Sequence, residues 1–261
     1  MQVKQPQLQI ARSYTPLPRS PISSSGSGSS DSDGDDAADI RLLIRRAARG
    51  EVSGYVHRQA LGATLEVRGP AAELRVAAGA ARVLVLAGGT GIAPALQVAH
   101  VLGAREGARC TILWACRRRE ECVGGGRGGE RGVRGGWRAV FGLGGKGVVE
   151  EGEGCCADDG VIVQELEALK KKAGGRLQVE YFVDEEKTFI RPAHIREHLR
   201  HSQSAQGAQE GGQNLILVSG PDGFIEHWAG KKVWVGGKEA QGPLGGVLCE
   251  LELKDWKVWK L

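Results

Sequence analysis

The sequence predicts a two-part protein, in which short antiparallel β-segments precede an α/β domain built on a parallel sheet. Between residues 40 and 67, short β-type segments are separated by glycines, as in a barrel. After residue 83, fully apolar strands alternate with helices, a pattern typical of a parallel sheet with right-handed crossovers. The 261 residues, of which 41% are hydrophobic, suffice for two domains of ordinary size.

The first part is predicted to span residues 1–78 and to contain three β-segments. These are Ile40–Ile44, Val52–Tyr55 and Thr64–Val67, the last closing at Gly69-Pro70. Residues 20–39 are rich in Ser, Gly and Asp, and Ile22 is their one large apolar side chain. Such a segment buries too little surface to offset chain entropy, so we predict a disordered insertion there.

The second part is predicted to span residues 79–231, followed by a C-terminal extension over 232–261. Its predicted strands are Val83–Ala87, Thr111–Ala115, Leu177–Val183 and Leu215–Val218, and its predicted helices are Ile92–Leu102, Asp158–Lys172 and Pro192–His201. Asp159 is a candidate N-cap of the second helix. A glycine-rich insertion is predicted over 122–157, since residues 124–154 hold 14 glycines. Both insertions are interpreted as loop tips or as gene-modelling errors such as retained introns; a glycine-rich nucleic-acid tract would need interleaved aromatics.

Composition excludes several classes of protein. The net charge of +4 is too balanced to indicate a nucleic-acid partner. Six cysteines without a Cys-x-x-Cys pair indicate no disulfide scaffold, and Cys110 and Cys116 flank an apolar strand as buried thiols would. The run Val83–Leu102 is long enough to span a membrane, but internal glycines and Pro94 break it.

The most informative local motif is the sequence Gly88-Gly89-Thr90-Gly91, which follows an apolar strand and opens a helix. The first amides of such a helix lack partners and its dipole is positive there, so the turn attracts a pyrophosphate. An ordinary tight turn between a strand and a helix has the same pattern. The motif therefore gains weight only from its neighbours.

Three further segments accompany the glycine turn in a fixed order. Arg12-Ser13-Tyr14-Thr15 precedes the barrel-like strands, Gly50-Glu51-Val52-Ser53 lies among them, and Ser219-Gly220-Pro221 follows the last apolar strand. With this order the chain resembles the ferredoxin–NADP reductase superfamily, in particular its cytochrome b5 reductase branch, over roughly residues 8–76, 81–121 and 161–229. The resemblance implies an incomplete antiparallel FAD-binding barrel followed by a nicotinamide-nucleotide domain.

The resemblance also implies roles for the residues of the flavin segments. Arg12 would pair with a flavin phosphate, Tyr14 would pack on the isoalloxazine, and Thr15 would hydrogen-bond near its N5 atom. Ser13 belongs to the same segment. The remaining implied phosphate contacts are Arg45, Gly50, Val52 and Ser53.

In the second domain, the resemblance assigns the dinucleotide to Gly88, Gly89, Thr90 and Gly91, and the nicotinamide to Gly220 and Pro221. Asp184 ends the third strand, where the family reads the adenosine ribose; a carboxylate there accepts hydroxyls and repels a 2′-phosphate, which favours NADH over NADPH. The run Arg117-Arg118-Arg119 could instead meet a phosphate, or be a solvated loop. The three histidines His194, His198 and His201 share a helix face, yet no partner marks a metal site, and we expect surface histidines.

The C-terminal residues 223–261 resemble those of fungal mitochondrial flavoproteins that assist haem attachment to cytochrome c. The resemblance thus implies an NAD(P)H-dependent flavin oxidoreductase of mitochondria, with FAD as cofactor and haem or a haem protein as electron acceptor. Ser219 stands where the family usually has cysteine, and we expect the barrel strands before Arg12 and the family's N-terminal membrane anchor to be missing. The alternative is a non-catalytic haem-lyase assembly factor, or a truncated nucleotide-binding remnant unable to hold FAD.

Overall fold

A computed structural model describes residues 1–20, 39–126, 160–200 and 213–261. The insertion predicted over 20–39 falls almost entirely outside these ranges. So do Asp159, His201 and most of the glycine-rich insertion.

The N-terminal part forms two small antiparallel sheets and one short helix. Its elements are β1 (Gln2–Gln5), β2 (Ile10–Ser13), β3 (Pro16–Leu17), β4 (Arg41–Leu42), α1 (Glu51–His57) and β5 (Glu66–Arg68). Strand β1 pairs with both β2 and β5, and β3 pairs with β4. Val3, at the centre of this arrangement, is fully buried.

The structure differs from three expectations about this part. The segment Val52–Tyr55 is helical rather than extended, because Val52 and Ser53 bury one face of α1 and the Gly54 amide donates to the Gly50 carbonyl at 2.8 Å. The strand expected over Ile40–Ile44 is only the two residues of β4. A strand does precede Arg12, since β1 pairs with β2 along its whole length.

The second part contains a five-stranded parallel sheet, which confirms the predicted fold class. Its elements are β6 (Ala80–Gly88), α2 (Ile92–Gly103), β7 (Arg109–Cys116), α3 (Val161–Ala173), β8 (Leu177–Val183), α4 (Pro192–Arg200), β9 (Gln213–Ser219), α5 (Asp222–Ala229), β10 (Val233–Val235), β11 (Lys238–Ala240), α6 (Gly246–Cys249) and β12 (Trp256–Lys260). The strand order is β12-β9-β6-β7-β8, and all four pairs are parallel.

Both faces of this sheet are covered, as the uninterrupted apolar strands predict. Along β6, Val83 and Val85 join one buried cluster with the inner faces of α2 and α3. Leu84 and Leu86 join the other cluster, which includes Trp228 of α5. Alternate side chains of one strand therefore anchor helices on opposite faces.

The segment predicted as a C-terminal extension ends inside the sheet. Strand β12 pairs with β9 from Trp256 opposite Asn214 to Lys260 opposite Val218. The ammonium of Lys260 is buried and donates to the carbonyls of Lys231 and Pro243. These contacts tie residues 231–261 to the edge of the parallel sheet.

Contacts also join the two parts. Arg41 of β4 forms an ion pair with Glu165 of α3, whose side chain is 1% exposed. The Gln97 amide of α2 donates to the Pro16 carbonyl at 2.6 Å. Among the described residues, none of the helices is both long and apolar enough to cross a bilayer.

Candidate functional site

The site lies where the winding of the parallel sheet reverses. From β6 the chain winds through β7 to β8 on one side, whereas β9 and β12 lie on the other side. In open α/β sheets, ligands bind outside the carboxyl ends of the strands at such a reversal. Here that point is the crevice between the ends of β6 and β9.

The two motifs predicted to bind the dinucleotide meet at this crevice. A Cβ atom on Gly91 would lie 2.3 Å from the Ser219 carbonyl oxygen and 2.8 Å from the Gly220 nitrogen. A Cβ atom on Gly220 would lie 3.0–3.2 Å from backbone atoms of Gly88. Only glycine permits this backbone approach, so the two glycines fix the distance between the two loops.

Above the turn, the backbone is open to a ligand. Gly89 adopts φ +52°, and a Cβ atom placed on it would meet nothing closer than 3.9 Å. Thr90 is exposed, and α2 begins two residues later at Ile92. A 3₁₀ turn over Gly89–Gly91 leads directly into this 12-residue helix, and the Ile92 amide donates back to the Gly89 carbonyl. The positive end of the helix dipole is therefore presented at the turn, which suits an anion.

Two aromatic side chains that the sequence analysis did not single out support the turn. The indole nitrogen of the buried Trp114 donates to the Gly89 carbonyl at 3.0 Å. The ring of Phe224 lies so close to Gly88 that a Cβ atom there would be 2.9 Å from it. A tryptophan inside an apolar strand is the one sequence signal that could have indicated a polar partner nearby.

The predicted flavin segment lies at the end of β2. Arg12 and Ser13 are exposed, while Tyr14 and Thr15 are half-buried. Partial burial raises the pKa of the Tyr14 hydroxyl, and the Arg12 guanidinium partly offsets this effect. Arg12 is thus accessible near the Tyr14 side chain, and the flavin contacts implied for both residues stay predictions.

The second predicted flavin segment opens α1, which packs against β1 and β2. The Ser53 hydroxyl is buried; it accepts from the Ala47 amide at 3.2 Å and lies 3.4 Å from the Gly50 carbonyl. A Cβ atom on Gly50 would lie 2.3 Å from that hydroxyl. The hydroxyl therefore braces the turn. Val52 and Ser53 are themselves buried, and their contact with a flavin phosphate stays a prediction.

Arg45 connects the two parts of the site. Its guanidinium lies 3.2 Å from Glu121 Oε1, and a Cβ atom on Gly89 would be 4.0 Å from it. The structure thus brings the arginine predicted for the flavin phosphates next to the turn predicted for the nicotinamide nucleotide. The Glu121 carboxylate that pairs with Arg45 lies equally close, with Oε2 at 3.9 Å from the same Cβ position, so the two charges beside the turn balance.

Asp184, which is predicted to bind the adenosine ribose, lies further along the carboxyl edge of the parallel sheet. Asp184 is exposed and begins a short 3₁₀ turn directly after β8. Gly88, Ala115 and Phe182 are level across three neighbouring strands, so Asp184 lies about 10 Å from the glycine turn at ordinary strand spacing.

The histidines are less exposed than predicted. His194 packs against the Phe182 ring with centroids 5.0 Å apart, and His198 Nε2 lies 3.0 Å from Glu180 Oε1. Cys110 and Cys116 are buried free thiols, which confirms that prediction. Across the described part of the chain, no group of three or more metal-ligating side chains converges.

These features fit the two groups that the resemblance implies. A dinucleotide is matched by open backbone at Gly89 beside a helix start, and FAD by Arg12, Tyr14 and the opening of α1. Pyrophosphate needs cationic or amide donors, and both segments supply them.

Comparisons with known proteins agree with the resemblance. The chain is 32% identical over 99 residues to an uncharacterised FAD-binding protein of Schizosaccharomyces pombe, a match covering 38% of this chain and 31% of that protein. It is 36% identical over 90 residues to NADH-cytochrome b5 reductase 1 of Mycosarcoma maydis, covering 34% and 24%. It is 34% identical over 71 residues to the cytochrome c mitochondrial import factor CYC2 of Saccharomyces cerevisiae, covering 27% and 19%. The matches thus span about a third or less of these relatives, and no protein-family model matches the chain.

Among solved structures, the CS-b5R domains of human Ncb5or in the NAD⁺ form share the fold. The TM-score is 0.53 at 16% identity, with 86% of this chain and 53% of that one covered. The predicted fold, with antiparallel strands before a parallel α/β sheet, is therefore confirmed. Together with the relatives above, it also confirms the similarity to the ferredoxin–NADP reductase superfamily and its cytochrome b5 reductase branch.

Proposed function

We propose that this protein is an FAD-dependent oxidoreductase that takes hydride from a nicotinamide dinucleotide, with NADH preferred, and passes electrons to haem or a haem protein. The observation that carries the proposal is the backbone contact of Gly91 with Ser219 and Gly220 at the carboxyl ends of β6 and β9. Two separately predicted motifs share this point, where α/β sheets bind nucleotides.

The bound groups would supply the redox chemistry, with hydride passing from nicotinamide C4 to flavin N5. The protein's contribution is binding and orientation. Gly88, Gly89, Thr90 and Gly91 would hold the dinucleotide pyrophosphate against α2, and Gly220 and Pro221 would border the nicotinamide. Arg12, Arg45 and the amides of Val52 and Ser53 would hold the flavin phosphates, while Tyr14 and Thr15 would contact the flavin ring.

The preference for NADH rests on the exposed carboxylate of Asp184 at the end of β8. The haem acceptor and a mitochondrial setting rest on the relatives: one is named a cytochrome b5 reductase and another a mitochondrial import factor of cytochrome c. A role in cytochrome c maturation is the more specific form of the same proposal.

The test begins with the absorbance spectrum of the purified full chain before and after incubation with FAD. We expect visible flavin bands that bleach anaerobically on addition of NADH and return on addition of a ferric haem protein. Asp184→Ser should lower the ratio of kcat/KM for NADH to that for NADPH. A wild type that prefers NADPH, or an unchanged ratio in the variant, would contradict the ribose assignment.

Arg12→Ala tests the flavin segment. A charge-assisted contact to phosphate is worth about 1.5–3 kcal/mol, so FAD affinity should fall about 10–150-fold while circular dichroism stays unchanged. Arg68→Ala is the matched control, since Arg68 is exposed on β5 and donates to the Gln2 side chain at 2.6 Å. A colourless wild type that takes up no FAD would favour the non-catalytic assembly factor or nucleotide-binding remnant.

A further inference from the structure

The turns after β7 and β8 are cross-linked by one arginine. Arg119 Nε and Nη2 lie 2.7 and 2.6 Å from the two carboxylate oxygens of Glu186, a two-pronged pair. Its Nη1 donates to the Gly125 carbonyl at 2.8 Å, and its backbone amide donates to Glu185 Oε1 at 2.6 Å. The hydrogen bond to Glu186 raises the pKa of Arg119, and both side chains are only 26% exposed.

The Arg119–Glu186 ion pair determines the charge next to Asp184 at the carboxyl ends of β7 and β8. Each nitrogen of the Arg119 guanidinium already donates to a protein acceptor, and Nη1 also lies 3.7 Å from Cys122 Sγ. At most one Nη2 hydrogen remains, so the paired donors that a phosphate needs are occupied. The Glu185 amide donates to the Arg117 carbonyl at 3.2 Å, which holds the Asp184 turn against the arginine turn. A 2′-phosphate arriving at Asp184 would therefore meet a fixed carboxylate and an arginine that is already neutralised.

Arg117 and Arg118 are the other arginines of this turn that could contact a 2′-phosphate, and both are weaker candidates than Arg119. Both are exposed, and Arg118 is 4.0 Å from Glu120. Holding a phosphate with such side chains costs rotamer entropy in high-dielectric solvent. Arg119 is the partly buried arginine of this turn, and its planar fork matches a phosphate as well as a carboxylate.

We propose that Glu186 is a specificity-determining residue that acts through Arg119: by occupying the guanidinium, it makes the ribose end of the site select against 2′-phosphorylated dinucleotides. The inference rests on the proposed dinucleotide site. The discrimination against a 2′-phosphate is thereby assigned to the Arg119–Glu186 ion pair as well as to Asp184. Glu185 and Glu186 also act as positioning residues, because they hold the turn that carries Asp184.

The experiment measures binding of ADP-ribose and of 2′-phospho-ADP-ribose to the full chain by calorimetry, without flavin or turnover. In Glu186→Gln, the affinity ratio should shift about tenfold or more toward the 2′-phosphorylated ligand, since one charged hydrogen-bond partner becomes available. Glu167→Gln is the control; it removes a carboxylate that pairs with Lys170 at 2.8 Å on α3, and should leave the ratio unchanged.

The double variant Arg119→Met/Glu186→Gln separates a local effect from bulk charge. The ratio should return to the wild-type value if Glu186 acts through Arg119. A ratio that stays shifted in the double variant, or one that never shifts in Glu186→Gln, overturns the inference. If Glu186→Gln does not fold, Glu186→Asp takes its place: it keeps the carboxylate but places it one methylene further from the Arg119 guanidinium. It should shift the ratio in the same direction, and an unchanged ratio there overturns the inference equally.

A different result would overturn the proposed function instead. If wild type binds neither ligand at millimolar concentration, the crevice between β6 and β9 is not a dinucleotide site. If wild type binds both ligands and the variants have the same affinity ratio as wild type, the dinucleotide site is supported and only the role of Glu186 is contradicted.

Discussion

At the scale of single residues, the stability of the protein is most sensitive to the ion pair that holds the buried carboxylate of Glu165. It is 1% exposed, pairs with Arg41 through one oxygen, and its other oxygen has no hydrogen-bond partner in the described structure. Arg41→Met should lower the free energy of unfolding by about 1–3 kcal/mol, because it leaves a buried charge uncompensated. Chemical denaturation of the purified protein measures this.

The double variant Arg41→Met/Glu165→Leu is the control that separates the effect of the unpaired charge from that of lost packing. Replacing both members with apolar groups removes the unpaired charge, so most of the lost stability should return. If the double variant is as unstable as Arg41→Met alone, the loss comes from packing of the arginine stem rather than from the stranded carboxylate.

His194 gives a pH-dependent prediction. Burial against Phe182 is the main cause that lowers its pKa below the ordinary value of 6.5; neighbouring Glu180 opposes this, and Arg191 and His198 reinforce it. The unfolded chain therefore binds this proton more readily than the folded one. The contribution of His194 is fully present above pH 6.5 and is lost as the pH falls through the lowered pKa.

The measurement compares unfolding free energy at pH 7.5 and pH 5 in wild type and two variants. His194→Gln removes the titrating group, so its loss of stability on acidification should be smaller than that of wild type. His100→Gln alters an exposed histidine of α2 and should behave as wild type does. Equal acid sensitivity in wild type and His194→Gln would contradict the prediction.

At the scale of elements, the sequence predicted the parallel sheet well and the small antiparallel part poorly. Strands such as β6 are buried on both faces, so an unbroken apolar run indicates them directly. Val52–Tyr55 misled because β-branched and aromatic residues favour strands, whereas packing against β1 and β2 imposes a helix. Strand β12 was missed since two lysines interrupt its five residues, and the burial of Lys260 arises only when the strand pairs with β9.

The same contrast holds for the site. The glycine turn was predictable because a backbone approach demands glycine and leaves a trace in the sequence. The Arg119–Glu186 pair was not, since it joins residues 67 positions apart that meet only once β7 and β8 are adjacent. Contacts of this kind depend on the fold and carry no local pattern.

The two glycines at the ends of α2 give a matched element-scale prediction. Gly91→Ala would push a methyl group to 2.3 Å from the Ser219 carbonyl oxygen, which forces the ends of β6 and β9 apart. We expect a loss of about 1–3 kcal/mol in stability and a loss of ADP-ribose binding. Gly103→Ala, at the other end of the same helix, meets nothing within 4 Å and should be neutral or stabilising by up to about 1 kcal/mol.

Thermal unfolding and calorimetric titration of the two variants decide the matter. If Gly91→Ala binds ADP-ribose as wild type does, the close approach of the two loops is not what builds the crevice. Reduced binding in both variants would indicate a general weakening of α2 instead.

At the scale of the whole molecule, the proposed nucleotide site lies beside a strand that is paired with the last strand of the chain. Strand β9 carries Ser219-Gly220-Pro221 at its end, and β12 is its outer neighbour in the sheet. The Leu261 amide donates to the Val218 carbonyl at 2.9 Å, and the Gln241 amide donates to the Lys260 carbonyl at the same distance. The C-terminal residues therefore hold the strand that forms one wall of the crevice.

Ending the chain after Asp255 should accordingly disable the site without touching either motif. The truncation leaves β9 as an unpaired edge and uncovers apolar surface on both faces, so the melting temperature should fall by more than about 10 °C, or roughly 3–4 kcal/mol for a domain of this size. ADP-ribose binding should be lost with it, because nothing then fixes Ser219 and Gly220 against Gly91. Lys257→Ala is the control, since Lys257 is exposed on β12 and its backbone pairing survives the substitution. A truncated protein that melts and binds ADP-ribose as Lys257→Ala does would show that residues 256–261 are an appendage and that β9 holds the crevice unaided.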